Sequence, residues 1–245
     1  MQNILSLLEL AKSSAVNAGT FLKKNFYSTQ ETLFNEGREI KLKIDHDSEE
    51  IILKSITSQS NLPILSEESG ILGNLSNKFW VVDPLDGSSN YFRKIPICAV
   101  SVALIDQNKP VLGVIYDFMN DKLFYGAKNQ GAFCNKQSIS VSKTNEISMG
   151  TIMTGIPAKH KYSDEEFSNM IQLFQNWKKI RMIGSAAIAN TYVANGCADY
   201  YQENDTFLWD IAAGAIIVEE AGGQAILSQV KSDFRVDAKF SNGVL

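Results

Sequence analysis

The stretch Phe79-Trp80-Val81-Val82-Asp83-Pro84-Leu85-Asp86-Gly87-Ser88-Ser89-Asn90-Tyr91 carries the reading of this chain. Phe79–Val82 is uninterruptedly apolar, as a short buried strand is. Pro84 has no N–H to give a sheet, so the strand is expected to stop there. Asp83 and Asp86 then stand three residues apart on a turn stiffened by Pro84. Gly87-Ser88-Ser89 is expected to open a helix or helical turn. Its backbone N–H groups can meet a phosphate, and Gly87 lets the backbone come close.

Two other pieces place acids in the same setting. They are Glu67 in Leu65-Ser66-Glu67-Glu68 and Asp210 in Leu208-Trp209-Asp210-Ile211-Ala212. Each follows apolar residues that bury. Carboxylates brought together in a buried site repel one another and lose hydration. Cations resolve that conflict, and an all-carboxylate site selects a hard ion, Mg²⁺ first. The implied chemistry is metal-assisted phosphate hydrolysis, with two ions polarising the phosphoryl group and activating water. Asp83 can bridge both ions, Asp86 can bind the second, and the Leu85 carbonyl can face the first. The Ser88 hydroxyl is placed to orient water, with Glu67 or Asp45 taking its proton. Spacing excludes rivals: a phosphoaspartate loop needs Asp-x-Asp, an EF-hand loop needs Glu where Lys94 stands, and no Gly-x-x-x-x-Gly-Lys-[Ser/Thr] loop exists.

Composition narrows the classes further. The 245 residues are 44% hydrophobic, enough for a sizeable core, and the net charge of −4 points away from nucleic acid and membrane surfaces. Cys98, Cys134 and Cys197 are few and scattered, which suits buried, inert thiols in a reducing compartment. The N-terminus has no leader pattern and no stretch suits a bilayer, so a cytoplasmic protein is expected.

Apolar spacing predicts a helix over 4–26, interrupted near Gly19, and another over 46–59. A short strand at 62–65 delivers Glu67. Strands at 100–105, 111–118 and 122–127, split by turn residues, predict consecutive antiparallel hairpins. The second half alternates: strand 151–153, helix 164–176, strand 180–183, helix 185–195, strand 199–201, helix 210–221. That pattern fits α/β layering. The two lobes, about 1–145 and 146–245, form one expected unit.

As a set, the motifs Trp80–Tyr91, Leu208–Ala215, Glu219–Gly223, Ile183–Ala187 and Gly196–Asp199 resemble the inositol monophosphatase family of Mg²⁺-dependent, lithium-sensitive phosphatases. The resemblance spans about residues 5–243. It implies a layered αβαβα sandwich of the sugar-phosphatase type, with an antiparallel-rich N-terminal lobe and an α/β C-terminal lobe. By position it implies Glu67, Asp83 and the Leu85 carbonyl as ligands of one ion. Asp83, Asp86 and Asp210 would hold a second, and a third, weaker ion would lean on Glu67. Gly87 and Ser88 correspond to the phosphate cradle, and Asp45 to the acid near the attacking water, with Asp47 the neighbouring alternative. Gly184, Ser185, Ala186, Glu203 and Asp210 fall on the substrate side. A homodimer is implied too. The substrate stays open among a polyol or sugar phosphate, 3′-phosphoadenosine 5′-phosphate, fructose bisphosphate and histidinol phosphate. An inactive ligand-binding relative is the reading from another class. Taken singly, Asp210 also reads as a helix N-terminal charge, Asp45 as a helix cap and Glu203 as a loop salt bridge.

Overall fold

A computed structural model of the chain describes residues 3–36, 39–156 and 161–245. Helix α1 (Ile4–Asn25) opens it, followed by the hairpin β1 (Thr32–Glu36) and β2 (Glu39–Leu42), and helix α2 (Lys43–Thr57). Strands β3 (Ile64–Ser66), β4 (Gly70–Leu72) and β5 (Lys78–Asp86) lead to the short helix α3 (Ser88–Phe92). A meander follows: β6 (Ala99–Asp106), β7 (Lys109–Asp117), β8 (Lys122–Ala127), β9 (Ala132–Cys134) and β10 (Gln137–Ser138). The second half holds β11 (Thr151–Thr154), α4 (Asp164–Gln175), β12 (Lys179–Met182) and α5 (Ala186–Ala194). It closes with β13 (Tyr200–Phe207), α6 (Leu208–Glu220), β14 (Gln224–Leu227) and β15 (Arg235–Ser241).

Strands β10-β9-β8-β7-β6-β5-β3-β4 form an eight-stranded sheet, and β12-β11-β13-β15-β14 a five-stranded one. The larger sheet is antiparallel except for β3 beside β5. In the smaller sheet β11 runs parallel to β12 and β13. Strand side chains alternate between faces, and the core divides accordingly. Trp80, Val82, Val102 and Val114 pack with α1 and α2. Val81, Ala103 and Ile115 pack with α5 and α6, which also carry the inner face of the small sheet through Met153, Tyr201 and Phe240. Helix α4 lies outside that sheet and closes a cavity against β11 and β13. The result is the layered αβαβα sandwich.

Four expectations are corrected. Helix α1 runs unbroken through Gly19, where a Cβ would strike the Tyr116 ring; this glycine serves close packing, not a kink. Helix α2 starts at Lys43, not 46, which brings Asp45 into its first turn. Strand β5 does not stop at Pro84. It continues to Asp86 because the register slips there: Asp83 faces Ser101 while Asp86 faces Ala99, so β5 carries one residue more than β6. A bulge is where a proline is tolerated inside a sheet. Cys98 is buried, with its thiol pushed up by desolvation, but Cys134 is half-buried and Cys197 exposed. The sequence reading takes His46 and His160 as solvated; His160 lies outside the described residues. No described helix is long and apolar enough to cross a membrane.

Candidate active site

Three chain segments deliver the acids to one place. Strand β3 lies parallel to β5, and the Glu67 N–H, just beyond it, donates to the Val82 carbonyl at 3.1 Å. The Glu67 carboxyl therefore arrives beside Asp83, and the two share a hydrogen bond. Burial raises both well above the carboxylate range. Repulsion adds to it, from Asp210, Glu68 and Asp45 on Glu67, and from Glu67, Asp86 and Asp210 on Asp83. The Asp83 turn is tightened by the Leu85 N–H, which donates to Asp83 Oδ1 at 3.0 Å.

Asp86 sits at the start of α5. Its carboxylate accepts from Ser185 Oγ, from the Ala187 N–H at 2.9 Å and from the Ala186 N–H at 3.3 Å. Burial raises its pKa to about 6 against the pull of these donors. Ser185 also caps α5, accepting the Ile188 N–H at 3.2 Å. Asp210 lies in the first turn of α6, where Oδ2 accepts from Thr206 Oγ1 at 2.8 Å and from the Phe207 N–H at 3.1 Å. Burial, then Asp86, carries it to about 8. Asp210 is thus both a helix-terminal acid and a member of the cluster.

Asp45 behaves the same way. It takes the Leu42 N–H at 2.7 Å as part of the α2 start, and Ser88 Oγ lies 3.1 Å from its other oxygen. Desolvation lifts it to about 7. Ser88 Oγ is also 2.9 Å from the Leu85 carbonyl. Asp47, the alternative, is half-exposed on the same helix. Gly87 holds φ at +87°, and a Cβ there would meet the Ile97 carbonyl at 2.9 Å, so a side chain is excluded where α3 begins. Glu203 is on β13, not in a loop. The Tyr201 hydroxyl donates to it at 2.8 Å, and burial raises it to about 7. It lines a cavity of about 620 Å³ with Thr154, Gly155, Asp205, Lys231 and Arg235.

Glu68 is held by Lys41 at 2.8 Å, with the exposed His46 placing Nε2 at 3.4 Å. Trp80 is a buried anchor whose Nε1 donates to Ser60 at 3.1 Å, and Trp209 stacks on Phe207 at 4.5 Å. Ser48, Glu49, Asn90, Tyr201 and Thr206 were not read as site residues from the sequence. Only the spacing of Asp45, Ser48 and Glu49 on one helix face could have drawn attention to the first two.

As the carboxylates now point, no group of three or more described His, Cys, Asp or Glu side chains forms a cage for an ion. The cause is local: Asp86 is turned to α5, Asp210 to Thr206, and Glu67 and Asp83 to each other. The donor set nevertheless fits a hard divalent ion. It offers carboxylates and a backbone carbonyl, with no thiolate or imidazole among them. A cation would offset the burial and repulsion that raise these acids.

The model of the inositol monophosphatase family matches residues 4–237, nearly the whole chain and all three acidic segments. The chain belongs to the inositol monophosphatase family. It is an enzyme of that class, a phosphatase acting on phosphoric monoesters. Among relatives of this inositol monophosphatase-family chain, the fructose-1,6-bisphosphatase/inositol-1-monophosphatase of Aquifex aeolicus is 34% identical over 230 residues, covering 91% of this chain and 86% of the relative. The Nus factor SuhB of Escherichia coli is 33% identical, covering 89% and 83% respectively. The solved inositol monophosphatase from Anabaena superposes with a TM-score of 0.86 at 33% identity, over 99% of this chain and 93% of that one.

Proposed function

We propose that this chain hydrolyses the phosphate monoester of a small polyol or sugar with Mg²⁺ as its cofactor, working as one phosphatase unit. The observation that carries this reading is the meeting of Glu67, Asp83, Asp86 and Asp210 in a buried cluster electrostatically linked to Glu203, which lines an open cavity. Glu67, Asp83 and the Leu85 carbonyl would hold one ion, Asp83, Asp86 and Asp210 a second, and Glu67 would support a third, weaker one. Bound there, the ions would supply polarisation of the phosphoryl oxygens, charge stabilisation of the leaving alkoxide and acidification of water.

The chain's own groups do the rest. Backbone N–H groups at Gly87 and Ser88 receive the phosphate at the start of α3. Ser88 Oγ, between Asp45 and the Leu85 carbonyl, orients the attacking water, and the proton passes toward Asp45 or Glu67. Gly184, Ser185, Ala186 and Glu203 define the leaving-group side, together with the free edge of Asp210. The cavity beside Glu203 has a mixed lining, in which Glu203, Gln202 and Asn204 can meet hydroxyl groups of a small metabolite. Three unpaired cysteines accord with a reducing, cytoplasmic setting. A homodimer is part of the same proposal. Helix α4 buries none of its residues and leaves Phe167, Ile171 and Leu173 exposed. Sedimentation giving only the monomer mass would remove it.

The test is phosphate release with Mg²⁺ from inositol monophosphate, fructose 1,6-bisphosphate, histidinol phosphate and 3′-phosphoadenosine 5′-phosphate, with and without Li⁺. Release from the polyol or sugar esters, lost with a chelator and inhibited by Li⁺, is expected. Preference for the nucleotide would replace the substrate reading, and no release from any ester would defeat it.

A further inference from the structure

Helix α2 turns three polar side chains inward on one face, Asp45, Ser48 and Glu49, above Ile52 and Ile56, which seat the helix in the core. All three are essentially buried, and each reaches a different part of the site. Asp45 lies against Ser88 at 3.1 Å. Ser48 Oγ donates to the Pro84 carbonyl at 2.8 Å, inside the β5 bulge. Glu49 grips the two serines that bracket Glu67-Glu68. Its Oε1 accepts from Ser66 Oγ and from the Ser69 N–H at 3.0 Å, and its Oε2 accepts from Ser69 Oγ.

That grip adds to short pairing, the Glu67 N–H on the Val82 carbonyl and Lys41 on Glu68. Strands β3 and β4 have three residues each, and β4 is the edge of the sheet. Short strands at an edge are weakly fixed by pairing alone. The segment also bears Glu67, whose carboxyl shares a hydrogen bond with Asp83. A buried carboxylate with three neutral donors ties the Ser66–Ser69 turn to α2, and with it the Glu67 that follows β3. Ser48 does the same for the partner turn, so one helix face keeps both acidic loops in register.

We propose that Glu49 is a positioning residue. It fixes the Ser66–Ser69 turn so that Glu67 meets the carboxylates of β5, and in this way sets the affinity of the site for its divalent cation. This rests on the metal-dependent reading above. Groups that orient ligands from behind typically change metal affinity or activity by about 10–100-fold when removed.

The experiment uses the full chain with Glu49→Ala, Glu49→Gln and, as a control in the same helix, Ile52→Val. Mn²⁺ binding is followed by electron paramagnetic resonance, independently of turnover, and phosphate release is measured across a Mg²⁺ titration. Glu49→Ala is expected to weaken Mn²⁺ binding about 10–100-fold, to shift the Mg²⁺ midpoint equally, and to keep kcat within a few-fold at saturating Mg²⁺. Glu49→Gln retains one acceptor oxygen and is expected to fall between it and the wild type; it carries the test if the alanine variant fails to fold. Ile52→Val is expected to lower Tm with unchanged Mn²⁺ affinity. A Glu49 variant that loses Tm yet binds Mn²⁺ as the wild type does would overturn the inference and leave the proposed function standing. A wild-type chain that binds no Mn²⁺ would overturn both.

Discussion

Asp83 is the residue on which the other acids converge. Its carboxyl is raised by burial, then by Glu67, Asp86 and Asp210, so a neutral isostere should relieve the metal-free protein while removing the carboxylate proposed to serve both ions. Asp83→Asn is expected to keep or raise Tm without Mg²⁺, to erase stabilisation by Mg²⁺, and to cut phosphate release on the order of 10³-fold, the size of several kcal/mol of lost transition-state stabilisation. Circular dichroism and phosphate release check this, and activity surviving within tenfold would end the two-ion reading. The four acids were legible because each closes an apolar run, and burying a carboxylate demands an explanation. What was not legible is how each is held. Thr206 and Asp210, or Ser185 and Asp86, are joined by hydrogen bonds that no local spacing announces. Asp45 and Asp210 show that a helix-start acid and a site acid can be one side chain, because the first turn of a helix is where a carboxylate is best tolerated.

At the scale of elements, α6 has to lie close to the large sheet for Asp210 to reach Asp83. Gly113 on β7 makes that approach possible: a Cβ there would collide with the backbone of Ala213 and with Ile216 at 2.8 Å. Gly113→Ala is expected to lift α6, cost about 1–3 kcal/mol and lower activity together with Tm, at about 2–4 °C per kcal/mol. Thermal melts and phosphate release measure it, and an unchanged Tm would show that the helix has room. Helices and the central strands were readable from apolar period, and β8 agrees with its expected bounds. Strand β13 was cut short because Gln202-Glu203-Asn204-Asp205 looks like a polar loop. It stays in the sheet through β15, with a bulge at Asn204-Asp205, where Lys231 and Arg235 pair with Asp205. The hairpin β1–β2 and strand β14 were missed because their short or exposed faces carry no clean alternation, whereas β15, also missed, alternates strictly, with Val236, Ala238 and Phe240 buried, and was legible.

Across the whole molecule the metal-free acids set a pH dependence. Asp86, Asp45, Glu203 and Asp210 have folded pKa values of about 6, 7, 7 and 8, all above their ordinary ones. The folded state therefore holds more protons than the unfolded state between about pH 4 and pH 8, and stability falls as pH rises through that window. Differential scanning calorimetry in chelator is expected to show Tm declining from pH 5 to pH 8, with Mg²⁺ restoring more at pH 8 than at pH 5 because binding displaces protons. A flat profile would contradict the protonated cluster. Residue order was enough for the buried runs, the acids that end them and the phosphatase class, since apolar period and desolvation are local consequences of side-chain chemistry. The β5 bulge, the carboxylates' present partners, the reach of α6 over Gly113 and the grip of Glu49 came only with the assembled layers. Those contacts join residues far apart in the chain, such as Asp86 with Ser185, and their geometry exists only once both sheets have closed on α5 and α6.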